Sequence, residues 1–171
     1  FYYWGLIPSW AKDVTIGRKT FNARSETILE RPAFRNSFKR RRALIPATSY
    51  YEWRTRNGVK EPFRFSVADE KIFTFAGIWD YWMDANGNEV YSASILTIAP
   101  NTAVAPYHTR MPVIISRKDR ERWMITDDLE TAMSYLKPIS SDRVIIETVK
   151  KISEGSPDPV VSSLPEQLNL V

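Results

Sequence analysis

The sequence contains no cysteine, a single histidine and only six glycines in 171 residues. Without cysteine the chain as given can form no disulfide, thiolate zinc site or iron–sulfur cluster. Without a second imidazole it cannot build a site that needs two histidines, so we expect neither a metal nor a cofactor. The GxxxxGK[ST], GxGxxG, HExxH and GxSxG motifs are also missing. These absences argue against the common nucleotide-binding, zinc-protease and serine-hydrolase classes.

Long apolar runs are missing as well. No run approaches about 18 consecutive apolar residues, and no signal peptide is recognisable, so we expect no membrane segment and a cytoplasmic location. A composition of 43% hydrophobic and 26% charged residues is typical of a globular protein. The length suits a single domain over residues 1–171, with an irregular tail expected over about 155–171.

Positive charge is concentrated between Arg18 and Arg64. The whole chain carries a formal charge of +4, but this segment holds thirteen cations and four carboxylates, a local excess of +9. A phosphate backbone responds to such a local field, and the many aromatic residues (6 Trp, 8 Tyr, 8 Phe) could stack on unpaired bases. The alternative is a solvated helix face, with most of the aromatic side chains in the core.

Periodicity and turn signals predict an α+β fold: a curved or partly closed, barrel-like antiparallel sheet with short helices on its flank. Asn57-Gly58 between alternating flanks predicts a tight hairpin. The capping patterns Ser116-x-x-Asp119 and Asp127-x-x-Glu130 predict two short helices, and a third is expected at about 31–41. Strands are predicted over residues 1–10, 41–46, 50–56, 60–68, 72–83, 89–99, 111–115 and 143–149.

Three segments place polar side chains where they could carry chemistry. Glu52 lies in the aromatic run Tyr50–Trp53, where burial would raise the carboxyl pKa and suit a general acid; an exposed strand position is the alternative. His108 is the only imidazole, and its neighbour Arg110 could hold a phosphate, although many loop histidines are structural or solvated. The segment Asn22–Glu26 gathers an amide, a guanidinium, a hydroxyl and a carboxylate, or else forms a turn and a helix cap.

Eight short blocks occur in a fixed order along the chain: WGLIPSWA (4–11), FNARSET (21–27), PAFR (32–35), RALIPA (42–47), YEW (51–53), FAGIW (75–79), LT (96–97) and HTRMPVI (108–114). Together they resemble the SOS response-associated peptidase family (the SRAP domain), also described as abasic site processing proteins. Each block is short, but eight in the right order make the match specific. Residues 115–171 fit more loosely.

The resemblance implies a protein that senses abasic sites in single-stranded DNA and forms a covalent crosslink with them. In this family the amine of an N-terminal cysteine condenses with the ring-opened deoxyribose aldehyde, and the thiolate then closes a thiazolidine. That cysteine is not among the 171 residues. By position, the resemblance assigns Asn22 to orienting the cysteine and the sugar. It assigns Glu52 to protonating the departing sugar oxygen, and His108 to assisting ring opening and Schiff-base formation.

The same match implies contacts with DNA. Arginine side chains suit phosphate because their planar fork is bidentate and always charged. The basic helix and the Arg41–Arg42 pair are expected to flank a groove for backbone phosphates. The expected partner is single-stranded DNA containing abasic sites, bound by a monomer associated with the bacterial nucleoid. The residues assigned by position to DNA binding are Trp4, Arg24, Arg35, Trp53, Thr97 and Arg110.

Other functions stay open at this level. One is an autoproteolytic cysteine-type peptidase that uses the same N-terminal cysteine with His108 and Glu52. Another is a non-catalytic single-stranded-DNA-binding module, in which Arg24 and Arg35 matter and Glu52 does not. A glycoside hydrolase using Glu52 and Asp80 has no further support in the sequence.

Overall fold

The computed structural model describes residues 1–149 and folds them into two β-sheets with short helices. None of the helices in this range is long and apolar enough to cross a membrane. The large sheet has seven strands: β1 (Tyr3–Trp4), β2 (Asn22–Arg24), β3 (Arg42–Ala47), β6 (Phe73–Met83), β7 (Glu89–Ile98), β8 (Met111–Pro112) and β9 (Ile114–Ile115). The small sheet has three, in the order β10 (Val144–Thr148), β5 (Val59–Val67) and β4 (Tyr50–Arg56).

The helices are α1 (Pro32–Arg40), α2 (Arg120–Ile125) and α3 (Leu129–Ser134), with 3-10 turns at Val14–Lys19, Ser25–Thr27, Arg117–Asp119 and Ser141–Arg143. The α+β class is confirmed, with the strands divided between two curved sheets that do not close into a barrel. The irregular tail expected over about 155–171 lies outside the described residues.

Two tight hairpins account for about half of the antiparallel pairing. Asn57 and Gly58 have φ angles of 50° and 76°, so both adopt the left-handed conformation that joins β4 to β5 as predicted. The turn between β6 and β7 is closed by Asp84, whose carboxylate accepts the backbone N–H groups of Asn86 and Asn88 at 2.8 Å each.

The segment 111–115 is inserted between β6 and β7. These two strands are paired between the hairpin and the Gly77–Ile95 pair, and beyond that pair they separate. In the gap, β8 pairs with β7 and β9 pairs with β6. Val113 divides the predicted strand and bonds to both sides: its N–H donates to Leu96 O and its carbonyl accepts from Ala76 N, each at 2.8 Å. The insertion brings the residues just before β8, including His108 and Arg110, to the C-terminal end of β7.

The sequence predicts a purely antiparallel sheet, but two short strands make the large sheet mixed. β1 and β2 both pair in parallel with β7, with Tyr3 opposite Ser92 and Asn22 opposite Ile95. The strand predicted over residues 1–10 is reduced to two residues because the backbone changes direction at Gly5, where φ is +137°. β2 was not predicted, since three residues are too few to show a periodicity of two.

The helices cover one side of the large sheet, which we call the outer face. Ile78 and Leu96 of the sheet pack there against Phe38 of α1 and Trp123 of α2, and all four are fully buried. Burial of one such side chain contributes about 1.5–3 kcal/mol, so this layer is a main source of stability. The Trp123 indole N–H also donates to Ala43 O at 2.8 Å, which fixes α2 against β3.

Arg42 joins the ends of two helices. Its buried guanidinium donates to the carbonyl oxygens of Phe38 at 2.9 Å and Trp123 at 2.8 Å, and to that of Thr126. Carbonyls at the end of a helix lack intrahelical donors, and Arg42 supplies them. Its predicted place beside a phosphate groove is therefore wrong. Arg41 is half-buried and pairs with Asp80 at 2.8 Å.

The small sheet packs on part of the opposite side of the large sheet, which we call the inner face. Phe75 and Ile95 of the inner face meet Tyr50 and Val67 of the small sheet. The Tyr50 ring stacks on Phe65, with ring centroids 5.0 Å apart and planes at 16°. The end of the inner face nearest the β6–β7 turn extends beyond this core and carries exposed aromatic side chains.

One predicted helix start is shifted by one residue, and the other begins after Ser116 as predicted but without its side-chain cap. Asp128, not Asp127, caps α3, because its carboxylate accepts the N–H groups of Glu130 and Thr131. The Ser116 hydroxyl donates to the Asp119 carboxylate at 2.5 Å and makes no cap bond to the backbone, so the expected capping box does not form.

Candidate active site

Glu52 lies in the middle of β4 and faces the large sheet. Alternation along the strand places Glu52 on the same side as Tyr50, which is packed in the inner core, and as Arg54. The Glu52 side chain is only 24% exposed. Burial raises the pKa of its carboxyl above the ordinary value of 4.5, and the nearby His108 opposes that rise. The carboxyl is thus enclosed, and it keeps its proton at a higher pH than an exposed glutamic acid.

His108 is held by a tightly turned segment between β7 and β8. Asn101 anchors this segment: its side-chain oxygen accepts the Val104 N–H at 3.0 Å, and its side-chain nitrogen donates to Ile139 O at 2.9 Å. Val104 is fully buried against Phe63, and its carbonyl accepts the His108 N–H at 3.1 Å. The position of the imidazole is therefore fixed by the core beneath it.

The imidazole of His108 lies between Glu52 and the backbone of Arg110. The imidazole Nε2 lies 3.6 Å from Glu52 Oε2, slightly beyond hydrogen-bond length. The imidazole Nδ1 lies 3.0 Å from Arg110 O and 3.2 Å from Arg110 N. Because Arg110 offers both an acceptor and a donor, either neutral tautomer of His108 finds a partner at Nδ1. Nε2 is then free to exchange a proton with Glu52 or with a molecule bound beside it.

The Arg110 side chain connects this pair to the end of β2. Its guanidinium donates to both oxygens of Glu26 at 2.7 and 2.8 Å, and to Thr97 O at 2.6 Å. The hydrogen bonds from Arg110 lower the pKa of the Glu26 carboxyl from 4.5 to about 2. The 3-10 turn that contains Glu26 follows β2 directly, so Arg110 ties the His108 segment to the strand that carries Asn22.

Asn22 and Arg24 lie on the inner face at the edge of the large sheet. They stand opposite Ile95 and Thr97 of β7, while Ala23 between them is buried in the outer core. Both side chains are exposed, and within residues 1–149 neither makes a hydrogen bond or an ion pair. No hydrogen bond in that range joins Asn22 to Glu52 or His108. The strand of Asn22 is linked to His108 through Glu26, which follows that strand and binds Arg110. A free amide and a free guanidinium are therefore available to a ligand.

Trp4 belongs to the same face. It stands opposite Ala93 of β7, two residues before the position opposite Asn22, and is 51% exposed. Its indole N–H donates to Phe21 O at 2.8 Å, and the Phe21 ring packs at 87° to it. The indole is held in place while about half of its surface stays open to solvent.

Thr97, Arg35 and Trp53 have different surroundings. Thr97 is only 9% exposed, and its hydroxyl faces Ala23 O and the Arg110 guanidinium at 3.4 Å each. Arg35 is exposed on α1, which packs against the outer face, and it makes no hydrogen bond or ion pair within residues 1–149. Trp53 is 46% exposed and lies on the opposite side of β4 from Glu52. The structure groups Glu52, His108, Arg110 and Thr97 and leaves Arg35 and Trp53 farther out.

Sequence reasoning missed two residues of the site. Glu26 was noted only as part of a polar run, and its partner Arg110 is 84 positions away, so no local pattern links them. Arg54 shares its side of β4 with Glu52, and its guanidinium lies 5.3 Å from the Tyr107 ring centroid, next to His108. Residues two apart in a strand share one side, so the position of Arg54 two residues after Glu52 was the signal that could have identified it.

The arrangement favours proton transfer and anion binding. Among residues 1–149, no three His, Cys, Asp or Glu side chains gather into a group that could hold a metal ion. The groups that are present comprise a carboxyl with a raised pKa, an imidazole within 3.6 Å of it, and the exposed guanidinium of Arg24 at the edge of the same face.

Comparison with known proteins identifies the family of the chain. The profile of the SOS response associated peptidase (SRAP) family matches residues 1–153. The abasic site processing protein YoqW of Bacillus subtilis (strain 168) is 39% identical over 142 residues, covering 81% of this chain and 63% of YoqW. The abasic site processing protein YoaM of the same organism is 41% identical over 137 residues, covering 80% of this chain and 60% of YoaM.

A solved structure has the same fold. A crystal structure of a protein from Bacteroides thetaiotaomicron superposes with a TM-score of 0.81 at 33% identity, covering 87% of this chain and 68% of that protein. The chain belongs to the SOS response associated peptidase family, which confirms the resemblance found in the sequence. It spans about three fifths of the length of the Bacillus relatives that it matches.

Proposed function

We propose that the protein senses abasic sites in single-stranded DNA and captures them as a covalent thiazolidine crosslink. The printed names of the relatives, abasic site processing proteins, support the choice of lesion. The proposed nucleophile is an N-terminal cysteine, which is not among the 171 residues. We further propose that the protein acts on DNA in the cytoplasm as a monomer, as the resemblance to the family implies.

The observation that carries the proposal is the Glu52–His108 pair. An abasic sugar must open before its aldehyde can react, and opening requires a proton on the departing ring oxygen. Burial raises the pKa of Glu52, so its carboxyl can supply that proton, and the neighbouring imidazole can assist and return it. In this proposal Glu52 is the general acid and His108 the second proton carrier.

The chemistry balances with the release of one water. The neutral cysteine amine, with an ordinary pKa of about 7.7–8.0, adds to the aldehyde carbon and forms a carbinolamine. The carbinolamine takes a proton from the acid and loses water to give a Schiff base. The thiolate then adds to the same carbon and closes the ring. Asn22, exposed and without a partner in the described range, is proposed to orient the cysteine and the sugar.

DNA binding is proposed to run along the inner face past Trp4, Asn22 and Arg24, and to reach Arg35 on α1 and Trp53 on the far side of β4 only beyond that face. Arg24 and Arg35 are exposed cations without partners within residues 1–149, which suits phosphate binding. Arg110 already holds Glu26, so a phosphate there would share or displace that carboxylate. Trp4 and Trp53 keep about half of their surface open for base contacts, and Thr97 is proposed to contribute through Arg110.

The test is adduct formation by the full-length protein with its N-terminal cysteine. The protein is incubated with a single-stranded oligonucleotide that contains one abasic site and, separately, with the intact oligonucleotide, and both are run on a denaturing gel. We expect an adduct only with the abasic strand, formed at least about a hundredfold more slowly by Glu52→Gln. Glu147→Gln, a control on β10 that removes the carboxylate paired with Arg64, should react like the wild type. No adduct from the wild type, or equal adduct from both strands, refutes the proposal.

A second candidate is peptidase activity, which the family's printed name suggests. The same cysteine, paired with His108 and Glu52, could cleave the peptide bond of its own leader. Cleavage of an unrelated peptide added in trans, lost in His108→Ala, would favour a general peptidase. Cleavage confined to the protein's own leader would be compatible with crosslinking as the main function.

A further inference from the structure

We propose that four aromatic side chains at the open end of the inner face form a base-stacking platform for single-stranded DNA beyond the candidate active site. The platform consists of Tyr2, Trp79, Tyr81 and Tyr91, and we call it the aromatic strip. The inference rests on the proposed function only in taking single-stranded DNA as the ligand. It does not depend on the crosslinking chemistry.

The strip is a continuous surface of ring contacts. Trp79 and Tyr81 alternate along β6, and both rings lie 6.2 Å from that of Tyr91 on β7, with planes at 30° and 34°. Tyr2 closes the strip, with its ring at 87° to Trp79 and 69° to Tyr91. Three rings of similar orientation, backed by a fourth at their edges, give the flat faces on which bases stack.

The aromatic strip is open to solvent. Tyr2 is 56%, Tyr81 38% and Tyr91 39% exposed. Single exposed aromatic residues are common, but three exposed rings and the half-buried Trp79, linked by their contacts with Tyr91, form a patch of the kind that marks a binding surface. The small sheet covers Phe75 and Ile95 on the same face, and the core that it builds with them does not include the strip.

The polar groups around the strip favour a nucleic acid over an apolar partner. The Arg41 guanidinium lies 5.7 Å from the Trp79 ring centroid and 5.4 Å from that of Tyr81. Its carboxylate partner Asp80 is only 3% exposed, so the cation is the part that solvent meets. The last turn of α1, just before Arg41, adds the exposed cations Lys39 and Arg40.

Two acidic groups lie toward the far end of the strip. The Tyr91 hydroxyl donates to Glu89 at 3.0 Å, and Asp84 lies in the turn between β6 and β7. The aromatic strip therefore has a cationic side near α1 and an acidic end at the β6–β7 turn. Stacking faces beside arginine are the combination that single-stranded nucleic acids use.

Register connects the strip to the candidate active site. On β7, Tyr91, Ala93 and Ile95 share the inner face, with Trp4 opposite Ala93 and Asn22 opposite Ile95. Four residues of strand separate Tyr91 from Ile95, a distance of about 13 Å. A DNA strand held at Asn22 can therefore pass Trp4 and reach the strip within a few nucleotides.

The experiment compares intact single-stranded oligonucleotides of about 6 and about 20 nucleotides, measured by fluorescence anisotropy with full-length protein. The double variant Tyr81→Ala, Tyr91→Ala should bind the long strand about tenfold more weakly, equivalent to about 1.4 kcal/mol, and the short strand unchanged. The double variant Tyr81→Phe, Tyr91→Phe keeps the rings and should bind both like the wild type. Trp10→Ala is the control: Trp10 is 56% exposed and adjoins Ala11, whose carbonyl accepts the indole N–H of Trp82, and alternation along β6 places Trp82 on the face opposite Tyr81.

Three results would overturn the platform. One is wild-type affinity of the alanine variant for the long strand, and a second is an equal loss for both lengths. The third is a wild-type dimer by light scattering that the alanine variant breaks, because the strip would then be an interface between two copies of the chain. Failure of the proposed function looks different: the wild type would bind the long strand through the strip yet form no adduct with an abasic strand.

Discussion

Replacing Glu26 by glutamine removes the carboxylate that holds Arg110, and the effect on stability can be worked from this pair. The guanidinium donates to both carboxylate oxygens and lowers the Glu26 pKa from 4.5 to about 2. In a pair shielded from water this change corresponds to about 3.4 kcal/mol. Because the Glu26 side chain is 47% exposed, solvent screening reduces the figure to about 1 kcal/mol. Glu26→Gln should lower the free energy of unfolding at neutral pH by that amount.

The pH dependence has a definite sign. The pKa of Glu26 is lower in the folded protein than in the unfolded chain, so the unfolded chain binds more protons between the two values. The stabilisation is complete above the unfolded value of 4.5 and is lost as the pH falls toward the folded value of about 2. The difference between wild type and Glu26→Gln should shrink over the same interval.

Urea unfolding followed by tryptophan fluorescence, at neutral pH and at several values down to about pH 3, measures this difference. Glu30→Gln is the control, since Glu30 lies in the same segment, is exposed and makes no ion pair within residues 1–149. Equal stability of wild type and Glu26→Gln at neutral pH refutes the reasoning. So does a difference that does not decrease on acidification.

Three further changes test other parts of the account. Burial raises the Glu52 pKa in the folded protein, so ionisation of the buried carboxyl destabilises the fold as the pH rises. Glu52→Gln should therefore raise the Tm at alkaline pH and change it little near pH 4. An unchanged Tm at both pH values contradicts this. Arg42→Met leaves helix-end carbonyls buried without donors and should cost about 2–3 kcal/mol by urea unfolding. Gly5→Ala, with φ at +137° and a Cβ 2.3 Å from Gly17 O, should cost about 2 kcal/mol or more by the same measurement.

The sequence was most informative where local chemistry decides the structure. Asn57-Gly58 predicted its hairpin because few other dipeptides accept two left-handed residues in a row. The carboxylate of Glu52 between aromatic neighbours left burial and exposure both open, and the fold decides for burial by turning that side of β4 toward the large sheet. The eight short blocks in a fixed order were enough to indicate the family, which the family profile over residues 1–153 confirms.

The sequence was least informative where distant segments meet. The insertion of residues 111–115 between β6 and β7 has no local signature, yet it brings His108 to Glu52 and Arg110 to Glu26. The parallel pairing of β2 depends on a partner more than seventy residues away. Arg42 shows the same limit, because a basic run cannot reveal which arginine is needed inside the protein to end two helices.

The central claim is that Glu52, His108 and Asn22 serve one covalent capture of an abasic sugar. Intact-mass spectrometry of the full-length protein after reaction with an abasic oligonucleotide tests it most directly. We expect one adduct whose mass is the sum of protein and oligonucleotide less one water, located at the N-terminal cysteine and greatly reduced in Glu52→Gln and His108→Ala. An adduct at another residue, or equal yield from both variants and the wild type, would contradict it.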